Sequence, residues 1–492
     1  MTINHVNIQI ENLGNELKKL LKQPNKRLGL LTSIDGSQLI TLVLNTDSHS
    51  VDVINSDLLD KNSYSSLSAS IPQAHWFERT LYEMFGVFPK HHPRLKSVIF
   101  NDSNNLILPP LANKTIIRDV NQVDTSFINI EAENVYIVPV GPVHAGIIEP
   151  GHFRITCVGE TIINLEIRLG FLHRGVEKQM TKIPYAKTSY LASSIASDTS
   201  IANSLANAIA MEQLLNIDVS ERTLYLRTLA LELERLSMHI NDLSGMCTDI
   251  AYSALAMELA RLRGIVFNMA DNLTGSRYFR YFIGPGGVRK DCDKNLIVIK
   301  KLLKELKNKL FKILFHILNN FSFTQRLDNI GKLSRSLAND FNMVGVVARA
   351  SGIQYDTRSI FNQGIYPQGI FKIAKENNGD VLGRTKVRIV EIFNSFEILE
   401  NVLDNIKSGD AKVDLNHKLS PNSFGVGIVE SFRGELIHLI VTDNSGFIKR
   451  YSIKDPSFNN WTGLAIACRN NLLSDFPICN KSFGLSYSGH DL

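Results

Sequence analysis

At 492 residues, with 44% hydrophobic and 21% charged residues, the chain is longer than one core usually supports and has the composition of a folded globular protein. That composition argues against a disordered, fibrous or multi-span membrane chain. The formal charge of +5 is small for the length and no Arg-rich or aromatic-interleaved motif accompanies it, so no nucleic-acid partner is expected.

Five cysteines, Cys157, Cys247, Cys292, Cys468 and Cys479, are scattered singly with no CxxC pair, which points to buried thiols in a reducing compartment. The N-terminus lacks the basic start and apolar run of a secretory signal. Apolar stretches such as Ile116–Val123 and Phe311–Leu318 stop well short of the roughly 20 residues that cross a bilayer. Any membrane association is expected to be peripheral.

The chain predicts an α+β fold. Up to Phe100, short β-like runs such as Leu39–Leu44 alternate with Asp, Asn, Gly and Ser clusters, as in a small α+β domain. The Asn-rich stretch Asn101–Asn105 and Pro109–Pro110 suit an exposed connection, giving domains over 1–125 and 131–492. The larger domain opens with a β-meander of Val135–Val140, Phe153–Val158 and Thr161–Arg168. After Ser189 the pattern becomes helical, through Glu221–Asp242, Tyr252–Asp271 and Asn295–Phe321, and predicts a central bundle. FGVGIVES, LIHLIVTD and FIKRYSIK then alternate as a C-terminal β-hairpin region, with a turn at Asp443–Gly446.

Four segments carry candidate chemistry. In GPVHAGIIEPGHFR, Gly141-Pro142 and Pro150-Gly151 set turns that can gather His144, Glu149 and His152 into a metal site, an acid/base site or a plain capped loop. FLHRGVEK places Arg174 and Glu177 at a helix start, where an ordinary ion pair is the simple expectation. LELERLSMH puts Glu232, Arg235 and His239 on one helical face, either solvated or a charge network inside the bundle. The stripe Ile299, Leu303, Leu306, Leu310, Ile313 and Ile317 has lysines between, as a core-facing helix with a basic outer face or as a docking face for an acidic partner or lipid. GPGG at Gly284–Gly287 and GRT at Gly383–Thr385 lack the strand-to-helix GxGxxG arrangement of a nucleotide site, and no GxSxG elbow is present.

Taken in order, GPVHAGIIEPGHFR, GFLHRGVEK, LELERLSMH, GPGGVRKD, VARASG, GDVLGRTKVRIVE and ESFRGELIH resemble the large catalytic subunit of energy-converting [NiFe] hydrogenases of the formate hydrogenlyase type. They equally resemble its relative, the quinone-proximal large subunit of respiratory complex I. Upstream, HWFERTLYEMFGVFPKHHPRLK resembles the signature of complex I's smaller companion subunit, fused here to the large one.

The resemblance implies a subunit of a membrane-associated complex I-like redox complex, related to NADH-quinone oxidoreductases and hydrogenase-4. Such a subunit takes a quinone-like or other redox substrate and couples electron transfer to ion translocation. The alternative is a catalytically silent scaffold or proton relay. The family holds nickel and iron by two CxxC pairs, whose positions fall here on Ala196 and Thr199 and on Ser486 and Gly489. No metal is therefore expected, nor an active [NiFe] hydrogenase, because these side chains cannot replace thiolates at a soft metal centre.

From the same resemblance come the remaining expectations. Glu149, His152, Arg174 and Arg433 are the candidate catalytic residues, with His438 beside Arg433 in the later segment. His144, His152, Ser197 and Asp249 are the candidate substrate-binding residues, with His152 and Asp249 at the positions of the family's quinone histidine and its aspartate partner. Ser197 stands where the family has its quinone tyrosine. No cofactor is expected on this chain, with a quinone as the candidate ligand and the iron-sulfur cluster on a small partner subunit. NAD would bind to another partner. Antiporter-like membrane subunits would anchor the complex peripherally on the cytoplasmic side of the inner membrane.

Overall fold

A computed structural model describes all residues except 59–61, 101–107, 113–125, 145–147, 291–292, 362, 367–368, 370 and 416–417. The Asn101–Asn105 connection, Ile116–Val123, Cys292 and the end of the expected first domain lie outside the described residues.

The N-terminal unit contains β1 (Thr2–Asn7), α1 (Ile10–Leu21), β2 (Lys26–Ser33), β3 (Gln38–Asn45), β4 (Ser50–Asp57), β5 (Ser63–Ser65), α2 (His75–Phe85) and β6 (Phe88–Lys90). Its main sheet has the order β1-β4-β3-β2, antiparallel except for the parallel β1–β4 pair. Every residue from Leu39 to Leu44 is buried, so β3 is covered on both faces and reads as a continuous apolar run. Two buried glutamates of α2 tie down flanking loops. Glu78 accepts from the amides of Leu67 and Ser68 and from two serine hydroxyls, and Glu83 accepts from the amides of Val98, Ile99 and Phe100. In the ERT and EMFG segments these carboxylates therefore serve architecture.

The rest of the chain begins with the antiparallel sheet β7 (Val135–Val140), β8 (His152–Val158) and β9 (Thr161–Arg168). Helices α3 (Val176–Met180), α4 (Thr188–Ala192), α5 (Ser200–Leu215), α6 (Glu221–Asp249) and α7 (Ser253–Thr274) follow, then the two-residue strands β10 (Ile283–Gly284) and β11 (Gly287–Val288). Next come α8 (Asp293–Asn319), α9 (Phe321–Leu327), α10 (Arg335–Asp340), α11 (Gly345–Ala350) and α12 (Val381–Asn405). The chain closes with the sheet β12 (Phe424–Ser431), β13 (Gly434–Thr442) and β14 (Ile448–Lys454), then α13 (Pro456–Ala467) and α14 (Phe476–Phe483).

On α8 the buried stripe is Ile299, Leu303, Leu306, Leu310, Leu314 and Ile317; Leu314 replaces the expected Ile313, which is only partly buried. Lys300 and Lys307 of its basic face pair with Asp404 and Glu400 of α12. Among the described residues no helix is long and apolar enough to cross a membrane.

One apolar core joins the two ends of the chain. Leu30, Leu42, Val53, Phe77 and Leu81 of the N-terminal unit cluster with Val426, Ile428, Ile437, Leu439 and Val441 of β12 and β13. A second core fills the helical bundle.

Within the bundle lies a cluster of seven buried charges. Arg358 of the 356–358 loop reaches Asp356 at 2.7 Å, Glu391 of α12 at 2.7 Å and Glu232 of α6 at 3.2 Å. Arg349 of α11 reaches Glu430 of β12 at 2.7 Å, Asp356 at 3.2 Å and Glu391 at 3.3 Å. Arg235 of α6 pairs with Glu391 at 2.5 Å and stands 3.4 Å from Glu232. Taking ions out of water costs several kcal/mol each, and here the carboxylates are held by two to four partners apiece. Glu232, for instance, also accepts from Ser395 and Tyr366. Burial would raise the Glu391 carboxyl, but Arg358, Arg349 and Arg235 outweigh it and hold it at about 2.

Two stability outcomes follow from these cores. Glu391→Gln leaves three guanidiniums without their common partner and should cost about 3–5 kcal/mol in urea unfolding at pH 7. Because the folded Glu391 sits below the ordinary carboxyl value of about 4.3, its contribution is present above that pH and drains away towards about 2. The variant should accordingly lose part of the acid-induced fall in stability, and an unchanged slope would contradict the pairing. Ile437→Ala, in the core shared by both ends of the chain, should cost about 2–5 kcal/mol. It should also shift one cooperative thermal transition, whereas two transitions with only one displaced would show that the units do not share a core.

Candidate functional site

Arg433 occupies the two-residue turn between β12 and β13, where Ser431 pairs with Gly434. Arg235 fixes that turn from below by donating to the carbonyls of Glu430 and Ser431, at 3.1 and 2.6 Å. Gly345, at the start of α11, fits against the turn only because it lacks a side chain. At its φ of +62° a Cβ would lie 1.8 Å from the Arg433 carbonyl oxygen. The charge cluster thus sets the position of the hairpin tip, and the tip sets Arg433.

The Arg433 guanidinium joins two distant segments. Nη1 and Nη2 form a bidentate pair with Asp198 at 3.0 and 2.5 Å, and Nε donates to the carbonyl of Gly484. Burial opposes the charge, but Asp198, with help from Asp455 and Asp242, keeps the guanidinium above its usual value. Asp198 lies within the turn that carries Ala196 and Thr199, and Gly484 lies two residues before Ser486. Arg433 therefore ties together the two stretches for which the resemblance implies metal-ligand pairs.

The four positions at which the resemblance implies metal ligands are buried. Ala196 and Gly489 have no side-chain donor atom. The Thr199 hydroxyl accepts from Asn203 Nδ2 at 3.0 Å, and the Ser486 hydroxyl accepts from the Gly489 amide at 2.9 Å. A Cβ on Gly489 would come within 2.5 Å of Asp455 Oδ2, so that carboxylate fills the space a side chain at 489 would need. Asp455 is buried, caps α13 through the Ser457 amide and has its Oδ2 without a hydrogen-bond partner among the described residues. Burial raises its carboxyl.

The candidate residues of the opening loop tie the chain to itself. His144 Nε2 contacts the Gly151 carbonyl at 2.8 Å, and His152 Nδ1 contacts the Gly141 carbonyl at 3.2 Å. Glu149 reaches the C-terminal segment and accepts from the amides of Tyr487 and Ser488, at 3.2 and 3.1 Å. Arg174 donates to the carbonyls of Ser194 and Ile195 and so anchors the turn that leads to Ala196. It does not pair with Glu177, whose carboxylate instead binds Arg450 at 2.6 Å together with Ser452 and the Ile453 amide.

Three expected placements are corrected. Asp249 does not meet His152: it is the exposed last residue of α6, and the charge facing it is Lys481. His438 does not belong to the Arg433 site. It is buried between Tyr451 and Asn203, at 2.7 and 3.1 Å, and burial lowers it to about 3, so it is a neutral structural side chain. His239 shares the helical face of Glu232 and Arg235 but has no hydrogen-bond partner among the described residues. Burial and then Arg235, Arg388, Arg349 and Arg358 keep it well below its usual value, and its ring lies edge-on to Phe432, 6.0 Å away. Ser197 is exposed.

Sequence reasoning missed Asp198, Asp455 and Glu234. Glu234 caps α5 from α6, accepting from the amides of Ile201 and Ala202 at 2.7 and 3.0 Å, and burial pushes it up to about 8 against those two hydrogen bonds. For Asp198 the signal was a lone charge among small residues in SSIASDTS; the other two carried none, because their partners are remote in the chain.

The family described as Respiratory-chain NADH dehydrogenase, 49 Kd subunit, matches residues 249–427, and its 30 Kd counterpart matches residues 6–116. The chain is 30% identical over 444 residues to formate hydrogenlyase subunit 5 of Escherichia coli, covering 88% of this chain and 77% of that one. It is 31% identical over 362 residues to the membrane-bound hydrogenase subunit alpha of Pyrococcus furiosus, covering 70% and 84%. It is 26% identical over 439 residues to the C/D polypeptide of the NADH-quinone oxidoreductase of Phocaeicola vulgatus, covering 85% and 84%. The chain belongs to the family of large subunits shared by complex I-like NADH-quinone oxidoreductases and formate hydrogenlyase-type hydrogenases, with the 30 Kd and 49 Kd types of segment in one polypeptide.

Proposed function

We propose that the chain is the metal-free large subunit of a membrane-associated redox complex, in which a quinone-like or other small redox substrate is reduced beside Arg433. The observation that carries this reading is the Arg433 bridge to Asp198 and Gly484 across the four ligand positions, none of which keeps a thiolate. Ala196, Thr199, Ser486 and Gly489 do not fit a nickel-iron centre, because two lack side-chain donors and the hydroxyls of the other two are engaged within their own turns.

Reduction of a quinone to a quinol takes two electrons and two protons. Electrons arrive from an iron-sulfur cluster on a small partner subunit. A guanidinium fixed in a buried turn is suited to stabilising the oxyanion that forms. Glu149 and His152, on the loop that touches the C-terminal segment, are the candidate proton donors. Antiporter-like membrane subunits would take up the coupling to ion translocation and hold the chain peripherally at the cytoplasmic face of the inner membrane, with NAD on another partner. The relatives' names, which include subunits of formate hydrogenlyase, a membrane-bound hydrogenase and NADH-quinone oxidoreductases, support an assembly of this kind.

A second reading, a catalytically silent scaffold that relays protons, is favoured by a separate observation. Arg433 is already satisfied by Asp198, and the residue at the quinone-tyrosine position, Ser197, is exposed and has no phenol.

A photoreactive azidoquinone added to the membrane-purified complex should label peptides containing residues 149–152 or 196–199, and labelling confined to other subunits would contradict the first reading. Arg433→Ala and Glu149→Gln should lower quinone reduction by about 100-fold or more with the complex still assembled. If quinone reduction is unchanged while ion transport falls, the relay reading replaces it.

A further inference from the structure

Two of the buried thiols meet. Cys468, the cap residue at the end of α13, donates to the Cys479 sulfur of α14 at 3.4 Å, and both are free and fully buried. The Cys479 sulfur also faces Gly331. At that residue's φ of +60° a Cβ would lie 2.5 Å from the sulfur and 3.0 Å from Arg384 Nη2. The Gly331 amide donates to Asn471 and its carbonyl accepts from Arg384, so this close approach is fixed from both ends. Arg384 Nε donates to Ser482, whose hydroxyl donates to the Cys479 carbonyl. The surrounding structure thus holds the two sulfurs in contact.

The pair is unequal. The hydrogen bond from Cys468, with help from Arg384, holds the Cys479 thiol below its usual value against burial. The same bond, and burial, raise Cys468 well above its own. The thiolate is the attacking form, so Cys479 is the nucleophile of the two. Cys468 is followed by the exposed Arg469 and Asn470, so the pair lies beneath a surface loop, where a small oxidant is the reagent that fits.

We propose that Cys468 and Cys479 are a reversible dithiol–disulfide site, oxidised by a small peroxide, that locks α13 to α14. The Cys479 sulfur attacks one peroxide oxygen and becomes a sulfenic acid, and the other oxygen leaves as water with the thiol proton. The Cys468 sulfur then displaces the sulfenic oxygen as a second water and forms the S–S bond. Two thiols lose two electrons and two protons, and one peroxide becomes two waters. The sulfurs close from 3.4 Å to about 2.05 Å, a small displacement for two helix ends. α14 runs on into Gly484, whose carbonyl accepts from Arg433, so the bond forms on the helix that leads to that contact.

The test is hydrogen peroxide treatment of the native full-length chain, then unfolding in N-ethylmaleimide, trypsin digestion and mass spectrometry. Trypsin cuts between the two cysteines at Arg469, so a linked pair of peptides reports the bond. The link is expected in most chains and is lost after dithiothreitol. Cys157 and Cys247, both buried and both raised by burial, should keep their thiols. In Cys468→Ser, dimedone should trap a sulfenic acid on Cys479, and in Cys479→Ser it should trap none on Cys468. Cys468 and Cys479 both still alkylated after peroxide, a link from either to another cysteine instead, or no dimedone adduct on Cys479 in the first variant would overturn the proposal.

Discussion

The seven-charge cluster of Arg235, Arg349, Arg358, Glu232, Asp356, Glu391 and Glu430 is the constraint on which the rest of the large domain hangs. It joins α6, α11, α12, β12 and the 356–358 loop, which no single stretch of sequence connects. An apolar core could supply comparable stability in the same volume, so stability alone does not account for it. What the ions add is direction. Arg235 spends two of its donors on the carbonyls just before the β12–β13 turn, and that turn aims Arg433 at Asp198.

The site that results is a polar cluster built around the Arg433–Asp198 pair. At the positions where the resemblance implies two pairs of thiolates, this chain has small residues packed into their own turns, an arginine bridging the two stretches and Asp455 filling the space at Gly489. The loop around Glu149 and the Arg174 contact hold the same two stretches from outside.

Much of the architecture was legible in the sequence because it follows local periodicity. The three strands of the opening meander, the long bundle helices and the β13–β14 turn at Asp443–Gly446 all stand where alternation and helical spacing put them. Local pattern could not say who pairs with whom. Glu177 next to Arg174 read as an ion pair, yet its partner is Arg450, 273 residues away. His438 read as a site residue because the resemblance covers its segment together with Arg433, but β13 points it into the core between Tyr451 and Asn203. Asp198 was hidden for the opposite reason, as a short acidic side chain in a small-residue turn whose importance appears only when Arg433 arrives from 235 residues away.

On the proposed reading, the Arg433–Asp198 pair serves an organic redox substrate where the resemblance implies a metal. Its most direct test is elemental and quinone analysis of the complex purified natively from membranes. Nickel far below one atom per chain, with extractable quinone present, is the expected result. One nickel per chain would contradict it.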